Sequence, residues 1–323
     1  MPMIQKEQEK FNLIEREIAK AQSVSIYTHV NPDCDTLSCA LALRLALLSL
    51  GKDVDVYSVD PVPNTLCVLN GAGFVILPEK KVHDLSIAVD CDSLERVGNS
   101  MRSYLSSKVK IAFDHHKTHK KFADVSVVDI DVSACAEIVY RFLKGLNLVT
   151  KDIAELLFAG IITDSGCFQF PSVTVSTHNI ASELMAYGFD AGKVIYYVLK
   201  KVTKNKFMLE NRVLTKCKFF EDNQIAIITF LENDFKETCT SLNDTLGTIV
   251  KVIDIDTVKV AYAISEASPK SYKIMIRTKD NIDASDIARE FGGGGHEKAS
   301  GCRLNGYYED IVDKLLKVAR DRL

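Results

Sequence analysis

The stretch SVSIYTHVNPDCD, residues 23–35, decides how the chain is read. Ser23 to Tyr27 has the length and character of a short strand, and it empties directly into Thr28, His29, Asn31, Pro32, Asp33 and Asp35. An apolar helical run, residues 36–50, follows at once. Strand, polar turn and helix in that order open an α/β unit. Upstream, residues 4–21 carry Ile4, Phe11, Ile14 and Ile18 at helical spacing. Downstream, strand-like runs at 54–59, 85–89 and 109–113 alternate with helical ones. The helix at 133–146 puts Ala134, Ile138, Phe142 and Leu146 on one face. The pattern predicts an α/β fold with an N-terminal parallel sheet and helices on both of its faces.

Helical spacing continues through 152–162 and 178–187, and Gly188 stops it. Residues 193–212, rich in Lys (Lys193, Lys200, Lys201, Lys204, Lys206) and carrying Tyr196 and Tyr197, are expected as a helical connector. Consecutive strands are then predicted at 216–220, 224–230, 258–265 and 272–278, the first two joined by a Glu221-Asp222-Asn223 turn. A glycine run and a helix at 308–322 complete a smaller α/β domain with a mixed sheet. The expected organisation is an N-terminal domain over 1–188, a connector over 189–214 and a C-terminal domain over 215–323. The cleft between the domains is the expected ligand site.

Composition narrows the classes further. A chain of 323 residues suggests two domains, and with 47% hydrophobic and 26% charged residues it is neither disordered nor fibrous. A net charge of −3 argues against coating long nucleic acid. No signal peptide is visible, and the most apolar window, 37–50, contains Arg44 and is too short to cross a bilayer, so a cytoplasmic protein without a membrane partner is expected. The nine cysteines include no CxxC pair and read mostly as small buried hydrophobes.

Acids and histidines gather where the predicted strands end: His29 to Asp35 after the first, Asp90 and Asp92 after the strand at 85–89, and Asp114, His115 and His116 after the one at 109–113. Asp164 follows an apolar helix. Taken singly, Asp33 or Asp35 is as well explained as an N-cap, and Asp90 with Asp92 as a turn. Together they are not, because ends of parallel strands open onto one crevice. Carboxylates packed there repel unless a cation compensates. His nitrogens and carboxylate oxygens without thiolates suit Mn²⁺ or Mg²⁺, and two such ions serve phosphoester hydrolysis. The run Gly292 to Gly295 is read first as a flexible loop, or else as backbone able to approach an anion; Arg277 could add a phosphate contact.

The order of these motifs resembles the DHH phosphoesterase superfamily, named for the triplet seen here as Asp114-His115-His116. His29-Val30-Asn31-Pro32-Asp33-Cys34-Asp35 is similar to the family's first motif, with Cys34 where Gly is usual, and Asp90 and Thr163 to Gly166 stand for two others. Gly293 to His296 with Ala299 and Gly301 resembles the signature of the DHH-associated C-terminal domain. The resemblance implies that His29 and Asp33 bind one Mn²⁺, that Asp35, His115 and Asp164 bind a second, and that Asp90 bridges them. Mg²⁺ or Co²⁺ could replace Mn²⁺. It further implies that His116 contacts the scissile phosphate, that Asp114 orients the His pair, and that Arg277, Gly293, Gly294, Gly295 and His296 hold the substrate's non-reacting end. The two-domain length is most similar to bacterial oligoribonuclease and pAp phosphatase types, which take short RNA, pAp or a dinucleotide. A cyclic di-AMP or pApA phosphodiesterase, a family II pyrophosphatase and a non-catalytic nucleotide-binding regulator stand as alternatives. A homodimer is compatible with the sequence and not fixed by it.

Overall fold

The computed structural model describes residues 2–78 and 81–323, with the side chains of residues 2–5, Ile4 among them, outside the description. The chain divides into two compact units, one ending at Lys201 and the other running from Val202 to Leu323. The expected connector is therefore shared between them.

The first unit is built on β1 (Ser23–Tyr27), β2 (Asp53–Tyr57), β3 (Val75–Ile76), β4 (Leu85–Val89), β5 (Val109–Asp114) and β6 (Val125–Val128). They form one sheet in the order β3-β2-β1-β4-β5-β6, every neighbouring pair parallel. The short strands β3 and β6 escape the sequence pattern. Side chains alternate across the sheet. Val24, Ile26, Ile87, Ile111 and Phe113 point into a large aliphatic core shared with α1 (Pro2–Lys20), α2 (Cys34–Ser49), α4 (Cys135–Gly145) and α5 (Lys151–Asp164). The opposite face carries Tyr27, Tyr57 and Ala88 against Val97 and Tyr104, the last on α3 (Met101–Ser106). On that face Ser25, Ser86 and Ser107 form a buried hydroxyl chain with links of 3.0 and 2.7 Å. Hydrogen bonding within the chain makes burial of these polar atoms tolerable.

Past α5 come α6 (Val175–Met185) and α7 (Ala191–Ile195), which runs into a single π turn, Tyr196–Lys200. The helix expected over 193–212 is not continuous. The backbone leaves helical geometry at Lys201 and restarts at α8 (Lys204–Leu214), because Thr203 accepts from the Lys206 N–H and acts as a new N-cap.

The second unit is a six-stranded mixed sheet of order β11-β12-β10-β9-β8-β7. Its members are β7 (Lys218–Phe220), β8 (Ile225–Phe230), β9 (Val260–Ser268), β10 (Ser271–Thr278), β11 (Gly294–His296) and β12 (Ala299–Asn305). Only β8 and β9 pair in parallel. Helices α9 (Glu232–Thr238), α10 (Thr248–Ile253), α11 (Ala284–Arg289) and α12 (Tyr308–Arg320) complete the unit. Glu221, Asp222 and Asn223 all adopt positive φ in the β7–β8 turn, a conformation that Asp and Asn tolerate better than most residues.

Part of the glycine run expected as a loop, residues 294–296, is an edge strand paired with β12. Close approach explains the composition. A Cβ on Gly293 would lie 2.3 Å from the Gly301 carbonyl oxygen and 2.5 Å from the Cys302 Cβ, whereas one on Gly294 would meet nothing within 4 Å. Gly293→Ala is therefore expected to cost ~1–3 kcal/mol of stability, the usual penalty of overpacking. Gly294→Ala should stay within ~0.5 kcal/mol of the parent, as an open surface site does. Denaturant titration of both variants checks the contrast.

Candidate metal centre and active site

Because β1, β4 and β5 are parallel, their C-terminal ends open on one edge of the sheet, and the polar residues that follow them meet there. His29 follows β1 and is buried; its Nδ1 lies 2.8 Å from the Val30 carbonyl oxygen, to which it donates. Nε2 is left to face the carboxylates, 3.4 Å from Asp33 Oδ2 and 3.4 Å from Asp90 Oδ2. Asp33 is the N-cap of α2, with Oδ1 accepting from the Thr36 N–H at 3.1 Å, and its side chain is 54% exposed. The capping role and a ligand role use different oxygens.

Asp35 lies one turn into the site and is held from far away in sequence. Its Oδ2 accepts from the Cys135 N–H at 2.6 Å and its Oδ1 from the Ala136 N–H at 3.1 Å, so the carboxylate sits on the N-terminus of α4. Charge and helix dipole favour one another there. Gly160 on α5 makes the fit possible, since a Cβ at that position would lie 2.6 Å from Asp35 Oδ1. Cys34 opens α2 in helical geometry, so the turn has no need of glycine there. Burial, first of all, pushes its thiol up to about 12.

Asp90 has φ of 58°, a left-handed conformation that costs a non-glycine residue on the order of 1 kcal/mol or more. Its N–H donates to the Phe113 carbonyl at 2.8 Å, and the turn aims the side chain into the cluster. Asp90 Oδ1 is buried and accepts no well-formed hydrogen bond; His115 Nε2 lies 3.4 Å away and His116 Nδ1 3.6 Å away. His115 Nε2 is also 3.3 Å from Asp164 Oδ2, at the C-terminal end of α5. Beyond Asp164 the chain reverses through Gly166, Cys167 and Phe168, all at positive φ, and Phe168 stacks on His178 of α6 with ring centroids 4.7 Å apart.

The electrostatics follow from this crowding. Burial raises the Asp90 carboxyl, but the imidazoles of His115 and His29 outweigh it and hold Asp90 well below the usual carboxylate range. Burial lowers His29, and the facing carboxylates of Asp33 and Asp90 carry it up to about 10. His115 is likewise lowered by burial and carried up to about 10, chiefly by Asp90. Asp35 and Asp164 go the other way: burial and then the Asp90 charge raise both, Asp164 to about 7.

Three sets of side chains present donor atoms within 4.8 Å of one another: His29, Asp33 and Asp90; Asp35, His115 and Asp164; and Asp90, His115 and His116. The donors are imidazole nitrogens and carboxylate oxygens, and Asp90 Oδ1 is buried without a donor of its own. Such a set fits hard divalent cations.

His116 Nδ1 is 2.7 Å from Asp114 Oδ1. The same carboxylate takes the main-chain N–H groups of His115 and His116, and its other oxygen lies 2.6 Å from His119 Nδ1. His119, Gly160 and the N-terminus of α4 were not visible as site features from the sequence; a third histidine three residues past His116 was the available signal.

Residues 23–161 match the DHH family, N-terminal domain, and residues 238–323 match the DHHA1 domain. The chain belongs to the DHH phosphoesterase superfamily. Members are metal-dependent hydrolases of phosphoester bonds, and the Asp and His groups described above are the candidate metal ligands in this one. A DHH relative from Thermus thermophilus, the bifunctional oligoribonuclease and PAP phosphatase NrnA, is 29% identical over 322 residues, covering 98% of this chain and 95% of the relative. The protein of the same name from Bacillus subtilis is 26% identical over 314 residues, covering 93% and 95%. Among solved structures, an exopolyphosphatase-related protein from Bacteroides fragilis shares the fold with a TM-score of 0.91 at 24% identity, over 97% of this chain and 96% of that one.

In the DHHA1-containing unit, Arg277 on β10 pairs with Ala299 on β12, and Ala299 with His296 on β11. Directly opposed residues share a face, so Arg277 and His296 flank the small Ala299 in one row. Arg277 is half-buried with its Nη1 3.0 Å from the Ile276 carbonyl oxygen and has no carboxylate partner among the described residues; His296 is exposed.

A cation entering the DHH cluster must displace protons held by His29 and His115 up to about 10 and by Asp164 up to about 7. Protonated ligands compete with the ion, so affinity rises as pH rises through this range. The expected slope near neutral pH is ~10-fold per pH unit for each proton released. Calorimetric Mn²⁺ titrations at pH 6 to 8, in buffers of different ionisation enthalpy, measure both; affinity independent of pH would contradict the cluster as the binding site.

Proposed function

We propose that this protein is a Mn²⁺-dependent phosphoesterase that hydrolyses short oligoribonucleotides to mononucleotides and removes the 3′-phosphate of pAp. The observation that supports the reading best is Asp90: its Oδ2 faces His29 and its Oδ1 faces His115, so one carboxylate groups with His29 and Asp33 on one side and with His115 and His116 on the other. In this reading His29 and Asp33 would hold one ion, Asp35, His115 and Asp164 would hold the second, and Asp90 would serve both. When bound, two such ions activate water and neutralise the charge that builds on the phosphoryl oxygens.

The chain's own groups do the rest. Hydrolysis breaks a phosphorus–oxygen bond, forms another to the oxygen of water and needs a proton on the departing oxygen. We assign that last task to His116, whose Nδ1–H is taken by Asp114 so that Nε2 is the nitrogen left for the departing oxygen. Burial lowers the His116 pKa, but the hydrogen bond to Asp114 and the nearby Asp90 charge raise it above the ordinary histidine value, a shift in the direction that suits a proton donor. In the second unit Arg277 and His296, with Gly293 to Gly295 beside them, would hold the non-reacting phosphate or base. Residues 1–188 then serve as the catalytic domain, 189–214 as the connector and 215–323 as the substrate-binding domain.

The substrate class rests on relatives matched over nearly their whole length and named for oligoribonuclease and PAP phosphatase activity. Asp90→Ala and His115→Ala should each lower kcat/KM by at least ~10³-fold with the fold intact by circular dichroism. Undiminished turnover in metal-stripped buffer would overturn the mechanism. Measuring kcat/KM with Mn²⁺ for pAp, pApA, cyclic di-AMP, RNA of about two to five nucleotides and pyrophosphate tests the substrate; pyrophosphate outpacing pApA would replace this reading with a pyrophosphatase.

A further inference from the structure

His119 belongs to no ligand set, yet it shares a carboxylate with the residue assigned to the scissile phosphate. Asp114 is fully buried, and each of its oxygens meets one imidazole: Oδ1 lies 2.7 Å from His116 Nδ1 and Oδ2 lies 2.6 Å from His119 Nδ1. A carboxylate can only accept, so both rings must carry hydrogen on Nδ1. The two oxygens are unequally held. Oδ1 also takes the N–H groups of His115 and His116 at 2.9 and 3.3 Å, whereas His119 is the one hydrogen-bond donor to Oδ2 among the described residues.

The His119 ring is fixed in turn. Its main-chain N–H donates to the His116 carbonyl at 3.2 Å, and its ring packs on Phe122 with centroids 5.5 Å apart. Its Nε2 is buried with no hydrogen-bond partner among the described residues. Among those residues the one side-chain hydrogen bond that this half-buried imidazole makes is to Asp114, which points to its task.

We propose that His119 is a positioning residue: it clamps Asp114 Oδ2, which fixes the rotation of the carboxylate, holds the Oδ1–His116 bond and keeps His116 with hydrogen on Nδ1 and Nε2 facing the reacting phosphoryl group. This rests on the role given to His116 above. The chemistry resembles the outer partners of metal-bound or catalytic imidazoles, whose removal costs 10- to 100-fold in function although they touch no substrate.

The test uses the full-length protein and the variants His119→Asn, His119→Gln and His119→Leu. Asn carries an N–H donor close to where the Nδ1 of His lies, Gln carries it one bond further out, and Leu has none. On pAp with Mn²⁺, Gln and Leu are expected to lower kcat by ~10- to 100-fold with KM changed less than about threefold, and Asn to stay within about threefold of the parent kcat. The second readout needs no turnover: long-range ¹H–¹⁵N spectra of the metal-free protein should show His116 with a fixed Nδ1–H in the parent and in Asn, and an averaged ring in Leu. Parent kcat in the Leu variant with unchanged His116 signals overturns the proposal, as does equal loss in all three variants with melting temperatures intact. If Leu does not fold, the contrast between Asn and Gln decides. A parent protein with no phosphoesterase activity defeats the functional reading alone, since the spectra still decide whether His119 sets the state of His116.

Discussion

Asp90 is a buried carboxylate that stays charged in the crowded centre of the cluster. Burial alone would neutralise it, and Asp35 and Asp164 nearby add repulsion. Positive charge placed on both sides holds the anion, supplied here by the imidazoles of His115 and His29. That requirement explains why His29 and His115 come from different strands flanking β4: each must approach a different oxygen of one side chain, and in a parallel sheet only the strands next to β4 end beside it.

The helices answer the same constraint from the other direction. Asp35 is settled on two N–H groups at the start of α4, where partial positive charge is built into the backbone. Helix α5 packs close to the same carboxylate at Gly160, where a Cβ would crowd both Asp35 and Ala136. The packing of α2, α4 and α5 in the aliphatic core and the placement of one carboxylate are therefore a single problem with a single solution.

Much of this was legible in residue types alone. Strands β1, β4 and β5 are mostly buried, and Val, Ile, Leu, Phe and Tyr interrupted only by Ala, Ser or Lys mark them as strands, so their ends, and the acids and histidines that follow, could be placed without coordinates. Elements defined by pairing and not by composition were not legible. Strand β3 has only two residues, β6 is a four-residue run between aspartates, and β11 is Gly-Gly-His, with nothing in its side chains to mark a strand. The connector misled for a local reason: Lys-rich helical spacing continues on both sides of Val202 and Thr203, but a threonine able to cap ends one helix and begins another. At the site, identities were readable and supports were not, because Asp35 is held by Cys135 and Ala136 a hundred residues away, at a distance that no spacing rule spans.

The reversal after Asp164 has a mechanical consequence. Three successive residues in the left-handed region form a tight elbow, held from within by the Cys167 N–H on the Ile162 carbonyl and the Phe168 N–H on the Ser165 hydroxyl. From outside, the ring of His178 on α6 stacks on Phe168, and α6 is secured at its own start by the reciprocal Thr174–Thr177 cap. Through Phe168, helix α6 acts as a buttress for the turn that follows Asp164, although it supplies none of the six clustered side chains. Part of the rim of the cluster thus leans on a helix that carries no candidate ligand.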